Sequence, residues 1–276
     1  MPRRNQLVAA AAVTGLLLAA ACGQPAPRAF VATQVFVIVM ENKSPAEALA
    51  GAFTASLAAR YGVAENYHAI THPSVPNYLA LTSGNTWGVT DDSYHSLPKK
   101  DIGTQLTDAG VSWRAYMQGF QRGGCLSSPL PYDPGHNPFA FYGGGCPTNV
   151  VPMTLLNADL GGRSMPTFAW LGPDMCNDEH SCPVSTGDSW LRQTVSDVMS
   201  SPVWTSHAVL FVTWDEDDGS TDNQVLTLVI APGVGHRVSH VAYDHYSLLA
   251  TVEHLLGVAP LGRAAAAKPM LDLLPN

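Results

Sequence analysis

The sequence predicts an α/β fold in which a mostly parallel sheet is covered by helices on both faces, as a three-layer α/β/α sandwich. Apolar runs of strand length alternate with segments of helical period, which is the order expected of parallel sheets. Several of these runs are continuously apolar, as in strands buried on both faces. The predicted strands are residues 35–40, 111–117, 165–172, 208–214 and 225–232, and the predicted helices are residues 45–60, 76–83, 103–109, 187–200 and 246–256.

The first 22 residues have the pattern of an export signal. Two arginines precede an apolar run that is too short to span a membrane and that ends in "LAAAC" at Cys22. This ending resembles a bacterial lipoprotein signal, in which Cys22 becomes the lipidated first residue; an ordinary cleaved signal is the alternative. Residues 23–34 are then a polar tether. We expect an extracytoplasmic protein that is either secreted or anchored to the membrane, in the latter case only through a lipid on Cys22.

Cysteine usage and charge narrow the class of protein. The four cysteines after Cys22 are an even number, which in an oxidising compartment indicates two disulfides. Three pairings are possible; closeness in sequence favours Cys125–Cys146 and Cys176–Cys182, and the lack of a CxxC spacing argues against a zinc site made of cysteines. The net charge of −8, with no basic cluster, argues against a nucleic-acid partner.

Residues 35–276 are predicted to form a single domain. This length is ample for one large core, and we find neither a linker-like polar run nor an internal repeat. The glycine- and proline-rich stretch at about 119–164 interrupts the alternation of strands and helices and contains two of the cysteines. We expect a disulfide-containing insertion or lid over one end of the sheet.

Two pairs of polar residues follow predicted strands directly. Ligands of open α/β sheets bind beyond the carboxyl ends of the strands. Glu41 and Asn42 follow the first strand and offer the hard oxygen ligands that magnesium, calcium and manganese prefer. Asp215 and Glu216 follow the strand at 208–214 and begin a run of acids, whose repulsion is costly unless a cation neutralises part of it. Each pair alone is compatible with ordinary turn chemistry, but together they predict one shared metal site.

A serine is predicted at the start of a helix near the same edge. Ser74 precedes the apolar helix at 76–83, where free backbone N–H groups and the helix dipole favour an anion such as phosphate. Serine is also among the best N-cap residues, which is the structural alternative. His72 and Asn77 lie beside it in sequence and favour the phosphate interpretation.

Two further groups of polar residues complete the pattern. The loop after the strand at 165–172 carries Asp178 and His180 among several polar residues, and we expect a disulfide to close it. A solvated acidic loop is the alternative. His245 stands just before the helix at 246–256 and either caps that helix or faces the same site. Polar clusters at several strand ends of one sheet edge indicate a catalytic centre.

These segments also resemble a known family. The ordered set "VIVMENKS", "HPSVPNYLALTSGN", "HNPFAFY", "NDEH", "GDSWL", "VTWDEDDG" and "DHYSLLATVEHLLG" is typical of the bacterial phosphoesterase family, and the resemblance covers nearly all of residues 33–257. That family holds secreted acid phosphatases and phospholipases C, and short acid phosphatases with phosphatidylinositol-3-phosphatase activity look most similar. The resemblance implies an alkaline-phosphatase-like fold, and "SVPNYLALTSG" also resembles the nucleophile segment of nucleotide pyrophosphatases.

The resemblance implies roles for individual residues. The ligands of a divalent metal ion (magnesium, calcium, manganese or zinc) would be Glu41, Asn42, Asp215 and Glu216. The catalytic residues would be Ser74 as the nucleophile, with His72 and His180 as candidates for proton transfer. The residues around the phosphoryl group or the substrate would be Asn77, His245, His136 and Asp178.

We therefore predict a hydrolase of phosphate monoesters that acts by two-step phosphoryl transfer through Ser74. The alternative within the same fold is a phosphodiesterase of the phospholipase C type. Larger phospholipases C carry further C-terminal domains, and the short chain after "HLLGVAPLG" favours monoesters. A second alternative is a non-catalytic envelope lipoprotein that binds metal or phosphate. Such a binder would not need Ser74 together with both ligand pairs.

Overall fold

The computed structural model describes residues 1–2, 32–162 and 164–275. The predicted export signal, Cys22 and most of the tether lie outside these residues. Among the described helices, none combines the length and the apolar character that a membrane crossing requires.

The strands of the described residues form two sheets. They are β1 (Gln34–Met40), β2 (Gly62–Ala64), β3 (Tyr67–His68), β4 (Trp113–Met117), β5 (Val150–Pro152), β6 (Phe168–Gly172), β7 (Ala208–Trp214), β8 (Thr227–Ile230), β9 (Arg237–Ser239) and β10 (Tyr243–Asp244). The larger sheet has eight strands in the order β5-β4-β6-β1-β7-β8-β2-β9, and β3 pairs with β10 in a small second sheet. Each apolar run predicted as a strand therefore lies in the large sheet, and the strands that the sequence missed are two or three residues long.

The five strands from β5 to β7 are parallel, which confirms the prediction of a mostly parallel sheet. Only β8 runs against its neighbours β7 and β2. Every residue of β6 and β7 is buried, as their continuous apolar sequences predict. Met40 is in register with Trp214 at the ends of β1 and β7. The residues that follow them therefore leave the sheet side by side.

Helices cover the sheet and complete the three layers of the predicted α/β/α sandwich. They are α1 (Pro45–Ala48), α2 (Ala52–Ala58), α3 (Ser74–Ser83), α4 (Ile102–Asp108), α5 (Leu156–Leu160), α6 (Val184–Ser200) and α7 (His245–Leu256). The main helix pairs are α3 with α7 and α2 with α6. The sheet and these helices share a continuous hydrophobic core.

The predicted helix at 45–60 is two helices. The chain breaks near Gly51, which is the N-cap of α2. The Asp188 carboxylate accepts hydrogen bonds from the backbone N–H groups of Phe53 (3.0 Å) and Thr54 (2.8 Å), at the start of α2. A Cβ at Gly51 would lie 2.6 Å from Asp188 Oδ1, so glycine permits this close approach. The capping contact from α6 therefore starts a second helix, although the periodicity had indicated a single helix over 45–60.

The stretch at 119–164 contributes a strand to the large sheet. Its strand β5 pairs in parallel with β4 and extends the sheet at one edge. Cys125 and Cys146 form a disulfide with their Cα atoms 5.3 Å apart, and Cys176 pairs with Cys182 at 4.7 Å. The pairing favoured by closeness in sequence is confirmed.

Candidate active site

The two predicted ligand pairs meet where β1 and β7 end. The backbone N–H of Asn42 donates to Asp215 Oδ1 (3.1 Å), and the Asn42 side-chain amide donates to Glu216 Oε1 (3.2 Å). Glu41 and Asp215 are fully buried, and Glu216 is 4% exposed. The parallel register of β1 and β7 thus places both pairs in one cluster of oxygen atoms.

The Ser74 hydroxyl lies against this cluster. Its Oγ is 3.2 Å from Glu41 Oε2, 3.2 Å from Glu216 Oε1 and 3.4 Å from Asn42 Oδ1. A hydroxyl has one proton and donates to one acceptor at a time. At least two of the three oxygens therefore face Ser74 without its proton, which is an arrangement suited to a shared cation.

Ser74 is the first residue of α3, so the prediction that it lies at a helix N-terminus is confirmed. The next backbone N–H group, that of Val75, donates to Asp92 Oδ1 at 3.0 Å. The Asp92 carboxylate therefore takes one of the N–H groups that the sequence analysis expected to be free for phosphate.

The carboxylates of the cluster hold their protons more tightly than usual. Burial raises the pKa of Asp215 to about 6. Burial, with repulsion by Asp215, raises the pKa of Glu216 to about 7 and that of Glu41 well above its ordinary value. Asp215 Oδ2 is buried and has no hydrogen-bond partner among the described residues.

These residues fit a divalent cation. Buried carboxylates that repel one another, with one oxygen unpaired, are costly unless a positive charge neutralises them. The donors are carboxylate, amide and hydroxyl oxygens, which are the hard ligands that magnesium, calcium and manganese prefer. Glu41, Asn42, Asp215, Glu216 and the Ser74 hydroxyl would hold the ion.

Tyr78 is a site residue that the sequence reasoning missed. Its hydroxyl donates to Glu41 Oε1. Tyr78 and Ser74 are four residues apart in α3, so they lie on the same face of the helix. Burial, with the negative charge of Glu41 beside it, raises the pKa of Tyr78 well above its ordinary value, so it stays a neutral donor. The four-residue spacing from Ser74 was the signal that could have found it.

His136 lies against Glu41. The resemblance had implied a position near the substrate. Its Nδ1 is 2.9 Å from Asp178 Oδ2, and its Nε2 is 3.5 Å from Glu41 Oε1. Burial alone would lower the pKa of His136, but attraction to Glu41 and Asp178 raises it to about 10. The ligand atoms of these three residues lie within 4.8 Å of one another, close enough to hold a metal. The raised pKa favours an imidazolium that forms ion pairs with both acids.

The loop closed by Cys176 and Cys182 holds the backbone of Glu41, one of the predicted metal ligands. The backbone carbonyl of Asp178 accepts from the N–H of Glu41 at 2.8 Å. The Asp178 carboxylate accepts from the His180 N–H (2.8 Å) and pairs with His136. Asp178 is 1% exposed. Asp178 therefore aligns the residues of the site. The resemblance had implied that it would contact the substrate.

The two histidines proposed for proton transfer, His72 and His180, differ in how many of their ring nitrogens are hydrogen-bonded. His72 places Nδ1 2.7 Å from Glu216 Oε2 and Nε2 2.9 Å from the Ser220 carbonyl, so both ring nitrogens are engaged. Burial alone would lower the pKa of His72, but the bonds to Ser220 and Glu216 raise it. His180 is exposed, its Nδ1 is 3.2 Å from Ser181 Oγ, and its ring centre is 5.6 Å from that of His136. His180 is therefore the less engaged of the two rings.

Asn77 does not face the phosphoryl position. Its Oδ1 accepts from the N–H groups of Ile70 (2.9 Å) and Thr71 (3.1 Å). Its Nδ2 donates to the carbonyls of Thr71 (2.7 Å) and Pro73 (3.2 Å). All its hydrogen-bonding capacity is thereby used on the loop before Ser74. The expected phosphate contact is corrected to a clamp on this loop.

His245 also has a different position from the one expected. It is fully buried, with Nδ1 3.0 Å from the Tyr67 hydroxyl and Nε2 2.6 Å from the Asp215 carbonyl. Burial lowers the pKa of His245 to about 4, so the ring is neutral near pH 7. Neither nitrogen is free for a phosphoryl group. The expected substrate contact is corrected to a contact with the backbone of a ligand residue.

Sequence comparisons place this site in a family context. The model of the Phosphoesterase family matches residues 30–259. A phosphatidylinositol-3-phosphatase of Mycobacterium tuberculosis is 32% identical over 247 residues, which are 87% of this chain and 82% of that protein. An acid phosphatase of Aspergillus fumigatus is 24% identical over 261 residues, which are 87% of this chain and 58% of that protein. The chain thus spans somewhat more than half the length of that fungal relative.

Solved structures share the fold at low sequence identity. Murine ectonucleotide pyrophosphatase/phosphodiesterase 5 in complex with AMP aligns with a TM-score of 0.64 and 10% identity, over 88% of this chain and 100% of that chain. A protein in the alkaline phosphatase superfamily from Vibrio parahaemolyticus aligns with a TM-score of 0.60 and 13% identity, over 87% and 71%. Both neighbours support an alkaline-phosphatase-like fold.

Proposed function

The chain belongs to the Phosphoesterase family, and we propose that it is an exported, metal-assisted hydrolase of phosphate monoesters with Ser74 as its nucleophile. The observation that carries the proposal is the Ser74 hydroxyl, whose oxygen lies 3.2 Å from both a Glu41 and a Glu216 carboxylate oxygen. Membership in the family makes the chain a phosphoesterase. The choice of monoester is supported by the names of the relatives, a phosphatidylinositol-3-phosphatase and acid phosphatases.

The reaction begins at Ser74. Its oxygen attacks phosphorus, a bond forms between Oγ and phosphorus, and the bond from phosphorus to the leaving alcohol oxygen breaks. The Ser74 proton passes to water, because Glu41 and Glu216, the carboxylates beside the hydroxyl, would be occupied as ligands of the cation. Water then attacks the phosphoserine, so that phosphate leaves and the serine regains a proton.

A divalent cation held by Glu41, Asn42, Asp215 and Glu216 would neutralise the phosphoryl oxygens and favour ionisation of the serine. The protein keeps these ligands aligned without it. Tyr78 and His136 both contact Glu41, and Asn42 joins Asp215 to Glu216 through its two N–H donors.

A histidine is proposed to protonate the leaving oxygen and then to activate water. His180 suits this role because it is exposed at the site's edge and has a ring nitrogen beyond its contact with Ser181. Its backbone N–H is bound to Asp178, in the disulfide-closed loop. This hydrogen bond anchors the backbone of His180 beside the site.

Export is supported by the two disulfides, which form in oxidising compartments. Attachment to a membrane through Cys22 remains part of the proposal, since that residue lies outside the described ranges. Phosphoinositides are the proposed lipid substrates by analogy with the mycobacterial relative. The lipid headgroup would present its monoester to Ser74.

The test is hydrolysis of para-nitrophenyl phosphate and of its bis-ester by the mature protein, with and without a chelator. We expect faster release from the monoester and its loss when divalent cations are removed. Preference for the bis-ester would replace the proposal with a phosphodiesterase of the phospholipase C type. Binding of metal with no turnover of either ester would favour a non-catalytic lipoprotein.

A further inference from the structure

A buried histidine, which is not one of the proposed ligands, contacts the backbone carbonyl of a ligand residue with its ring. His245 and Tyr67 are both 0% exposed, and the ring of His245 joins the Tyr67 hydroxyl to the carbonyl oxygen of Asp215. A buried histidine with satisfied nitrogens is common in protein cores. The partner makes this one distinctive, because Asp215 is one of the proposed ligands and its carbonyl begins the peptide that leads to Glu216.

The direction of these hydrogen bonds follows from their chemistry. A backbone carbonyl only accepts, so Nε2 of His245 carries the proton that is shared with Asp215. In a fully buried neutral ring, Nδ1 then accepts, and the Tyr67 hydroxyl is its donor. Tyr67 thereby selects the ring tautomer that can hold the Asp215 carbonyl.

Both partners of the histidine are held by regular structure. Tyr67 lies in β3, in register with Tyr243 of β10, and β10 leads directly into α7, where His245 is the first residue. The Asp244 carboxylate caps this helix by accepting from the Ser247 N–H at 2.9 Å. The ring is therefore positioned from the strand on one side and from the helix start on the other.

The peptide that carries the ligands is held on both sides. The N–H of Asp215 donates to the Met40 carbonyl at 2.9 Å, as an extension of the β1–β7 ladder. Its carbonyl accepts from His245 at 2.6 Å. Beyond this point the chain leaves the sheet, so the hydrogen bond from His245 fixes the plane of the peptide between Asp215 and Glu216.

We propose that Tyr67 and His245 form a positioning pair that aims the Asp215 and Glu216 carboxylates at the Ser74 hydroxyl and at a bound cation. The inference rests on the proposed function, and it adds two residues that touch neither substrate nor cation. Residues behind metal ligands commonly change metal affinity or activity by ten- to a hundred-fold when they are removed. The same range is expected here.

The experiment measures cation binding and turnover separately. Tyr67→Phe removes only the hydroxyl, and His245→Phe removes the donor to Asp215 while keeping a ring. Magnesium, calcium, manganese and zinc are titrated into the chelator-treated protein by calorimetry, and the tightest-binding ion is used for all variants. We expect both variants to bind it at least ten-fold more weakly and to lose at least ten-fold in kcat on para-nitrophenyl phosphate, with a smaller change in KM.

Two further variants separate positioning from packing. Tyr116→Phe removes another buried hydroxyl, which lies in β4 and donates to Asp159 at 2.7 Å. It should lower the Tm without changing cation affinity or kcat. His245→Gln keeps an N–H donor on a flexible side chain, and we expect it to recover part of the affinity that His245→Phe loses.

The outcomes show whether Tyr67 and His245 position the ligand residues or only pack the core. If Tyr67→Phe and His245→Phe lower only the Tm, as Tyr116→Phe does, the pair merely packs the core and the inference is overturned. If the wild type binds the cation without turnover and the variants bind it more weakly, positioning stands and the proposed function fails. A wild type that neither binds a cation nor hydrolyses the ester contradicts both. If His245→Phe does not fold, Tyr67→Phe decides alone.

Discussion

Ser74 Oγ lies 3.2 Å from Glu216 Oε1, although the two residues are 142 positions apart in sequence. The contact joins the start of α3 to the end of β7, while Glu41 reaches the same hydroxyl from the end of β1. The site is therefore assembled by the sheet edge and one helix. Its chemistry depends on keeping several buried acids close together.

The effect of a cation on stability should depend on pH. Free Asp and Glu side chains titrate near 3.9 and 4.3, whereas in the fold the pKa of Asp215 is about 6 and that of Glu216 is about 7. Raised acid pKa values mean that protons stabilise the metal-free fold below about pH 4 and that this contribution is lost as pH rises through 6 to 7. A cation replaces those protons, so we expect saturating metal to raise the Tm more at pH 7 than at pH 5.

The size of this difference is about 4 kcal/mol, or roughly 8–16 °C in Tm for a chain of this size. Thermal unfolding with metal and with chelator at pH 5, 6 and 7 measures it. Comparing the two conditions at each pH cancels the titration of acids elsewhere in the chain, such as Glu253, whose pKa burial raises to about 8. An equal metal effect at pH 5 and pH 7 would show that Asp215 and Glu216 are not the ligands.

The two disulfides should differ in what they support. Replacing Cys176 and Cys182 by serine opens the loop whose Asp178 carbonyl holds the Glu41 N–H. The ring closed by this disulfide is short, with a sequence separation of 6, so its loss should cost about 2 kcal/mol of unfolding free energy. We expect kcat on para-nitrophenyl phosphate to fall about ten-fold, because Glu41 and His136 lose a common partner.

The matched variant replaces Cys125 and Cys146 by serine. Their separation of 21 predicts a larger loss of stability, about 3 kcal/mol, with a smaller loss of kcat. Denaturant unfolding and steady-state kinetics on both double variants give the comparison. If opening the loop at 176–182 leaves kcat higher than the other variant does, this loop does not align the site.

Gly187→Ala should destabilise the fold, although alanine normally favours a helix over glycine by about 1 kcal/mol. A Cβ at Gly187 of α6 would lie 2.3 Å from the Glu179 Cγ. Glu179 cannot move aside easily, because it is 1% exposed and its carboxylate accepts from Trp214 Nε1 at 3.0 Å. We expect a loss of about 1–3 kcal/mol in the free energy of unfolding, measured with denaturant.

Gly145→Ala is the control for this change, since a Cβ there would meet no atom within 4 Å. It should alter the unfolding free energy by less than about 0.5 kcal/mol. Unchanged or increased stability of Gly187→Ala would mean that the Glu179 side chain can move away from the added methyl group.

His180→Asn should discriminate between leaving groups. A general acid matters most when the departing oxygen is a poor leaving group, and its removal typically costs about 10²–10⁴-fold. We expect at least a hundred-fold loss of kcat on an alkyl phosphate and a much smaller loss on para-nitrophenyl phosphate. His240→Asn, at an exposed ion pair with Glu65, serves as the control. An equal loss on both esters would remove His180 from the role of general acid.

Long strands of the fold were predictable because their burial leaves a direct trace in composition. The run at 208–214 coincides with β7, and the run at 35–40 falls within β1. Strands as short as β2 and β9 carry no periodic signal, since they are set by their partners across the sheet. The break between α1 and α2 was likewise invisible, because Asp188 supplies its cause from a distant helix.

The site shows the same division. The residues that directly follow long strands, Glu41 and Asp215 among them, were found because a parallel sheet brings its strand ends to one edge. The partners of Asn77 and His245 were misassigned, because residue type and neighbourhood do not tell whether a polar side chain faces a ligand or a backbone group. Tyr67 carried no sequence signal at all, since its partner His245 is 178 residues away.

The assignment of Ser74 as the nucleophile is tested by the turnover of para-nitrophenyl phosphate by Ser74→Ala beside the wild type, in the same metal-containing buffer. Ser74 is 6% exposed, and its hydroxyl makes contacts only within the site, so the variant should fold with little change in Tm. We predict a loss of kcat of about a thousand-fold or more, since no other oxygen takes the place of the nucleophile. Turnover by the folded variant at the wild-type rate would contradict the assignment of Ser74 and, with it, the proposed mechanism.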